Sequence, residues 1–456
     1  MKSLFSRFLG VLLLIGSVSS TVSSQMLRTS FVMKDVHYRM QLNPALVPDR
    51  GYVDIPIVGN FNFGVSSNAL GSKDIIEAFN SESGNFSSDV LYDRLKKNND
   101  LNMHFKADAV SVGWWRGENF WSISVGMRMD VGAQIPKSMF TALRDMEDLT
   151  ANNWDNYRMN INNEKVNFNA YSEMGVGFAR DLSERVTFGA KLKMLLGMGN
   201  LNATINAINI ETNGLNGGIR NPESWANGGN AKIQVDAVME SSLSGMKFLK
   251  DEDGTIYDFD YNQFGIAGYG GAIDLGLAFH ATDNITLSAA VSDLGFISWA
   301  KSSTSIISSE ETRVYDRTNY LDFVSLVDQD ELLNYELFGF KHDENAKGRT
   351  TSLYSAFSAG AEVGVLNDKL TFGVLSTTRL LKPKTLSEIT FAAAIRPASW
   401  FDLAASYSLL QSNGKTFGVA LKLGPLFVGS DYVYLGDDSM VADIFAGLTI
   451  PLGKKN

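Results

Sequence analysis

The segment Ala272–Asp293, AIDLGLAFHATDNITLSAAVSD, decides the fold of this chain. Its first half alternates large apolar residues with small or polar ones from Ile273 to His280, and its second half repeats the alternation after a Thr-Asp-Asn turn. Successive side chains of a strand point to opposite faces, so the segment predicts a β-hairpin with one apolar and one polar face. The apolar face would cover a core in a soluble protein and would face lipid in a membrane barrel.

The same alternation recurs along the chain, and this repetition favours the barrel. Further alternating segments begin at Trp121, Met174, Val186, Leu370, Ile389, Phe401 and Ile444. Long and short connections alternate between them, as in barrels that place short turns on the periplasmic side and long loops outside. The sequence therefore predicts an all-β fold, a 14-stranded antiparallel transmembrane β-barrel over residues 51–456 with long extracellular loops. Counting the alternating runs at 203–207 and 233–239 as spanning strands gives 16, but it breaks this parity.

The polar face of the predicted strands carries both charges, which excludes a dry sandwich core. The side chains that the alternation directs into the lumen are Arg128, Asp130, Glu173, Lys191, Lys193, Asp274, His280, Glu362, Asp402 and Asp443. A tunnel for lipids needs a substantial apolar lining. Mixed charge favours a filled, rigid lumen, and the alternative is the polarity of an ordinary water-filled porin.

Composition agrees with one large barrel. The 456 residues include 41 glycines and only nine prolines, and no linker divides the chain. No internal stretch is apolar for the roughly 18 residues that a spanning helix needs. The absence of cysteine excludes disulfides, thiolate metal sites and lipid attachment to a cysteine.

The amino terminus predicts export. Lys2 and Arg7 precede the apolar run Phe8–Ile15, and small residues lead to a cleavage site before Gln25, so residues 1–24 form a predicted signal peptide. Its removal takes the formal charge from −10 to −12. This acidity argues against nucleic acid as a partner.

Two features concern the surface. Four tryptophans near predicted strand ends are typical of the aromatic girdle that meets the headgroups of outer-membrane lipids; they are Trp114, Trp115, Trp299 and Trp400. Apolar residues at helical spacing in the long loops, at 75–95, 139–149 and 321–333, either present a partner surface or pack over the barrel mouth.

Catalytic and ligand-binding motifs are scarce. We therefore expect that the protein is not an enzyme and that it has no metal site and no cofactor. The four histidines show no ligand spacing. His280 with Ser288 is a weak candidate for a nucleophile pair, and interior hydrogen bonding explains His280 better. Residues 251–262 resemble a calcium loop, but Asn262 replaces the terminal glutamate, which favours a plain Asp-Gly turn.

Asn43-Pro44-Ala45-Leu46, placed before the first strand of an exported barrel, resembles the N-terminal hatch of the FadL-like barrels. The PorV-like relatives from Bacteroidota are more similar, and Asp274-Leu275-Gly276 with Asp293–Trp299 resembles an uncharacterised branch of them. The resemblance implies a hatch over residues 25–50 and a place in the cell outer membrane.

The resemblance implies two functions. FadL moves hydrophobic molecules through a hatch-plugged lumen and a side opening, whereas PorV-like barrels are membrane partners in protein export. Our leading hypothesis is an accessory or scaffold subunit of an envelope assembly or export complex, with other outer-membrane or periplasmic proteins as partners. The alternative is a passive diffusion channel for small hydrophobic molecules.

Overall fold

The computed structural model describes residues 27–56, 59–69, 89–141, 154–261, 265–328, 339–343, 346–382, 385–410, 414–433 and 441–454. The predicted signal peptide lies outside these residues, as do most of the helices predicted at 75–95 and 139–149.

Strands make up most of the described chain. They are β1 (Arg50–Asp54), β2 (Asn60–Ser67), β3 (Asn98–Arg116), β4 (Asn119–Pro136), β5 (Arg158–Ser183), β6 (Val186–Asn213), β7 (Asn230–Leu243), β8 (Met246–Lys250), β9 (Ile256–Tyr261), β10 (Gly268–Thr282), β11 (Ile285–Trp299), β12 (Thr304–Tyr315), β13 (Lys341–His342), β14 (Arg349–Ser352), β15 (Ala356–Val365), β16 (Leu370–Arg379), β17 (Leu386–Ala398), β18 (Phe401–Leu410), β19 (Gly414–Leu423), β20 (Leu426–Val433) and β21 (Val441–Lys454).

Helices are short. The α-helices are α1 (Asp89–Arg94), α2 (Pro222–Ala226) and α3 (Tyr320–Asp328), and 3₁₀ turns occur at Thr29–Val32, His37–Gln41 and Lys301–Ser303. Among the described residues, no helix has both the length and the apolar character needed to cross a membrane.

The strands close into a 14-stranded antiparallel barrel, as the sequence predicts. β1 and β2 share the first position, because both pair with β3 and with β21. β14 and β15 share the position after β11. Single strands fill the other positions in chain order, with β10 next to β6. The turns after β3, β5, β10, β15, β17 and β19 are short and define the short-turn end, opposite the long-loop end.

The two alternating runs at 203–207 and 233–239 pair with each other outside the barrel. Ala203 and Ile205 of β6 lie opposite Met239 and Ala237 of β7. β7 also pairs with β12, so these strands extend the sheet beyond the barrel at the long-loop end. The alternative of 16 spanning strands is therefore wrong.

The alternation sorts side chains as the sequence predicts. On β10, Leu277 and Phe279 are 50% and 43% exposed on the outside, whereas Asp274 is 6% exposed inside. Equivalent outward positions on other strands hold Ile123, Val176, Leu192, Leu287, Phe372, Phe391, Val419 and Ile444. A continuous apolar belt around a closed barrel is the surface that a bilayer covers.

A β-bulge in β11 changes which residues face inward. The register with β10 shifts between Ile273 and Leu275, and Asp293 adopts the left-handed conformation with φ 57°. Its backbone N–H donates to Asp274 Oδ1 at 2.7 Å. Unbroken alternation would place Asp293 on the lipid face, and the bulge instead places it in the lumen beside Asp274.

The N-terminal segment fills the lumen at the short-turn end. Residues 27–48, called the plug below, form the first two 3₁₀ turns, and Phe31, Met33 and Leu42 are fully buried. The plug packs on small inward residues of the wall, including Ala404 and Ala420. Small wall residues leave the space that the plug occupies.

The long-loop end carries a folded lobe. It consists of the upper parts of β5 and β6 with β7, β8, β9, β12, β13, α2 and α3. Trp154, Trp225 and Phe323 meet at its centre, with ring centroids 5.9–6.0 Å apart. Of the apolar residues predicted at helical spacing in 321–333, Phe323 of α3 is buried in the lobe and Leu321 is exposed, whereas residues 329–333 lie outside the described part of the chain.

The lobe also buries one carboxylate. Glu164 on β5 is 8% exposed, and its Oε2 atom has no hydrogen-bond partner within the described part of the chain. Burial raises the pKa of Glu164 to about 7, because the ionised form loses its hydration.

Candidate functional site: the plugged lumen

Glycines in the barrel wall form seats for the plug. A Cβ at Gly360 would lie 2.5 Å from the ring of Phe31, and one at Gly373 would lie 2.6 Å from Val32 Cγ1. The same close approach relates Thr29 to Gly418, Tyr38 to Gly447, Asn43 to Gly276 and Pro44 to Gly189. Any larger residue at these wall positions would collide with the plug, so wall and plug are complementary in shape.

Ion pairs tie the plug to several sides of the barrel. Arg39 contacts Glu362 of β15 at 2.8 Å, and both side chains are almost fully buried. The others join Arg28 to Glu388 and Asp431, Lys34 to Asp368, and Asp35 to Arg396. His37 forms a hydrogen bond with Asp54 at 3.0 Å. The described contacts between plug and wall are thus non-covalent.

Asn43, in the predicted hatch motif, links the plug to two strands. Its amide nitrogen donates to the carbonyl oxygens of Leu277 at 3.1 Å and Ala289 at 3.2 Å. Its Oδ1 accepts from the backbone N–H of Ala45, and Leu46 closes the turn through a backbone bond to Asn43. The motif therefore forms a turn and fixes it to β10 and β11.

Five of the charged residues in the lumen form one network above the plug. Arg128 contacts Glu173 at 3.1 Å and Asp293 at 2.6 Å, and Lys193 contacts Asp274 at 2.7 Å and Asp293 at 2.6 Å. These side chains come from β4, β5, β6, β10 and β11. Each of the two cations is thus held by two carboxylates from different strands, and the network links five neighbouring strands across the lumen.

The structure places the remaining predicted lumen residues as follows. Asp130 pairs with His104 at 2.7 Å and Arg379 at 3.4 Å. Lys191 is half-buried beside the network, whereas His280 is exposed near the short-turn end.

Glu362, Asp402 and Asp443 are buried on the inner wall at the level of the plug. Asp443 accepts from the backbone N–H groups of Asp431 and Tyr432, and Asp431 in turn binds the backbone of the plug. Glu362 and Asp443 thus act on the plug, directly or through one neighbour.

Two of the four predicted girdle tryptophans do not face lipid. Trp114 pairs across the strand with exposed Trp121, and Trp400 is 59% exposed, so both lie outside. Trp115 points inward and donates to the carbonyl oxygen of Pro48, because adjacent residues of a strand face opposite sides. Trp299 is 1% exposed inside the barrel, since the bulge at Asp293 reverses the faces of the residues that follow.

The outer wall has a groove at the same place as the charged network. The groove has a volume of about 950 Å³ and lies across β4, β5, β6, β10 and β11, between apolar side chains such as Leu192, Met194 and Phe296. A cavity of about 50 Å³ lies in the lumen beside the plug. Ser124 and Lys193 line both spaces. The wall between the groove and the lumen is the paired sheet of β4, β5, β6, β10 and β11, with the charged network on its inner face.

The structure does not strengthen the candidate catalytic pair or the candidate calcium loop. The nitrogens of His280 face the hydroxyls of Thr187 and Thr286 rather than Ser288. Asp251 accepts from the backbone of Asp253 and Thr255, which forms a turn, whereas Asn262 lies outside the described residues. Within the described part of the chain, no group of three or more acidic or histidine side chains is arranged to hold a metal ion.

The sequence predictions missed several functional residues of the plug. Arg28 and Arg39 carry ion pairs of the plug and His37 carries a hydrogen bond, yet all three lie in a segment without periodicity. The basic residues of 27–48 standing ahead of a barrel with acidic inward positions were the available signal. The glycines at inward positions of the strands were a second signal, because small inward residues leave space for the side chains of another segment.

These features define a class, a plugged transmembrane β-barrel with an extramembrane lobe. The chain belongs to the family described as "Family of unknown function (DUF5723)", whose model matches residues 44–431. Comparison with curated protein sequences gave no significant match.

Solved structures similar to this one include the Pseudomonas putida toluene transporter TodX, with 10% identity, 96% of each chain covered and a TM-score of 0.40. A FadL homologue from Pseudomonas aeruginosa is similar with 9% identity, 94% of this chain and 98% of the other covered, and a TM-score of 0.39. Similarity at this level bears on neither substrate nor function.

Proposed function

We propose that the protein is a plugged channel of the outer membrane that passes small apolar molecules between its lumen and the lipid-facing surface. The observation that carries this proposal is the coincidence of the outer groove and the lumenal cavity on one section of wall, with Ser124 and Lys193 lining both. The groove is apolar and lies within the belt, which suits a molecule that continues into lipid. The outer-membrane location is supported by the predicted signal peptide and by the closed barrel, an architecture typical of that membrane.

The plug supports a gated channel. Its contacts are shape complementarity and ion pairs, so a modest change in free energy can shift it between seated and released states. The hydrated charges of the lumen would carry ions once the plug leaves.

The channel is tested by uptake of the apolar dye N-phenylnaphthylamine into cells that produce the protein, since the outer leaflet slows this dye. Gly271→Trp should lower the uptake rate severalfold, because residue 271 lines the groove and a Cβ there meets its nearest heavy atom at 3.6 Å, leaving room for the ring. Gly453→Trp is the matched control, because residue 453 is an exposed strand glycine with open space around it. Equal uptake with and without the native protein would refute the channel.

Removal of residues 27–48 tests the gate in planar bilayers. The shortened protein should conduct ions steadily, whereas the native protein should stay closed for most of the time. Equal conductance of the two would refute the gating role of the plug.

A second function, docking in an envelope assembly or export complex, is favoured by the lobe. Twenty-two buried residues form its apolar core, a degree of order that a pore does not need. Native pull-down from detergent-solubilised outer membranes tests it, and recovery of the protein alone would count against docking.

A further inference from the structure

A small polar cavity separates the plug from the wall beneath the charged network. It has a volume of about 50 Å³. Gln41 and Pro44 line it from the plug, and Lys106, Ser124 and Lys191 line it from β3, β4 and β6. Plug and wall therefore share the cavity.

Three hydrogen-bond donors of the cavity have no acceptor. Lys106 is 4% exposed and Lys191 is half-buried, and neither ammonium makes a hydrogen bond or a close ion pair with a described residue, although the carboxylates of Asp108 and Glu173 attract Lys106 from a greater distance. Ser124 Oγ is buried and likewise has no partner in the described chain. By contrast, the neighbouring cations Arg128 and Lys193 are each held by two carboxylates. Unpaired buried donors cost free energy unless a ligand satisfies them.

Lys191 and Ser124 approach each other because the facing strand has a glycine, and Lys106 lines the same cavity. A Cβ at Gly175 would lie 3.2 Å from both Lys191 Nζ and Ser124 Oγ. Asp108, the next inward residue of β3 after Lys106, is hydrogen-bonded by Asn60 instead. Asp274, the second carboxylate that lines the cavity, is held by Lys193. The two ammonium groups and the hydroxyl are therefore left to bind a negative charge.

We propose that this cavity binds one small monovalent anion of about the size of formate, held between Lys106, Lys191 and Ser124. A water-sized atom needs roughly 10–15 Å³ of such volume, so about 50 Å³ accommodates about three to five heavy atoms. While the plug is seated, a space of this size does not hold an alkyl chain, so the ligand of the seated state is a free anion rather than the head of an amphipathic molecule. The site goes beyond the proposed channel and stands without it.

The anion would touch both the plug and the wall. Gln41 and Pro44 contribute to the site only while the plug is seated. A ligand that binds one state stabilises that state by mass action, so the anion favours the seated plug.

Titration calorimetry of the full detergent-solubilised chain with sodium formate tests the site, in a buffer whose only other anion is gluconate, which is too large for the cavity. We expect saturable binding of one formate per chain. Lys106→Met and Lys191→Met should each weaken binding at least tenfold, and Lys369→Met, in an exposed turn, should leave it unchanged. Ser124→Ala keeps both charges and should weaken binding about threefold, which keeps the test decisive if a lysine variant does not fold.

Three results would overturn the site. They are the absence of saturable formate binding to the native chain, equal formate affinity in the native chain and the folded variants, and binding of decanoate without binding of formate. The last result would identify the head of an amphipathic molecule as the ligand. Dye uptake plays no part in this measurement, so failure of the channel and failure of the site are separate outcomes.

Discussion

The ion pair between Arg39 of the plug and Glu362 of β15 offers a direct way to unseat the plug. Arg39→Met removes the guanidinium and leaves the carboxylate buried at 5% exposure. Loss of one partner from a buried pair costs about 3–5 kcal/mol. Release of the plug hydrates Glu362 and relieves this cost. At about 1.4 kcal/mol per factor of ten, even about 3 kcal/mol raises the equilibrium ratio of released to seated plug by roughly a hundredfold.

Single-channel recording in planar bilayers measures the effect as the fraction of time spent open. Arg39→Met should raise this fraction roughly a hundredfold, within the limit set by a plug deletion. The double variant Arg39→Met/Glu362→Gln should return most of the way to the native value, because no charge is left unpaired in the lumen.

The control is Arg180→Met, which removes an exposed partner of Glu118 at the short-turn end and should leave the open fraction unchanged. Equal opening of the single and double Arg39 variants would refute the reasoning, because the unpaired Glu362 carboxylate would then not drive release.

Three further outcomes follow from the structure. Gly360→Val should displace the ring of Phe31 and remove about 2 kcal/mol of stabilisation from its apolar burial, which raises the open fraction about thirtyfold. Gly453→Val is the control, and an unchanged open fraction in Gly360→Val would contradict the role of Gly360 as a seat for the plug. Glu164→Gln should stabilise the lobe by up to about 3 kcal/mol at pH 8 and have little effect at pH 4, measured by hydrogen exchange of lobe amides. The sign follows because burial raises the pKa of Glu164 to about 7, so stability is full below the unfolded value of 4.5 and is lost as the pH rises through 7; equal effects at both pH values would contradict it. Trp225→Ala should cost the lobe about 3–5 kcal/mol and speed exchange there while barrel amides stay protected, because the indole is buried within the lobe alone; uniform loss of protection would show that lobe and barrel unfold together.

Periodicity was sufficient to predict the barrel. The segment at 272–293 lies within β10 and β11, and the outward position of Leu277 and the inward position of Asp274 follow from a period of two. The strand count followed from the parity of the connections.

The details of the lumen could not be predicted in this way. The bulge at Asp293 depends on a left-handed residue and on the side chain of Asp274, a contact that period-two reasoning does not contain. It moved Asp293 and Trp299 inside. The partners of Arg28 and Arg39 lie more than 300 positions away, so only the closed barrel brings them together.

β5 and β6 contain 26 and 28 residues, and they pass from the membrane into the lobe as one hydrogen-bonded ribbon. At about 3.3 Å per residue, 26 residues measure roughly 85 Å, so this pair of strands is long enough to cross the membrane and continue through the lobe. The same two strands hold both the lobe and the section of wall that carries the groove, so continuous backbone hydrogen bonding connects the outside of the cell to that section.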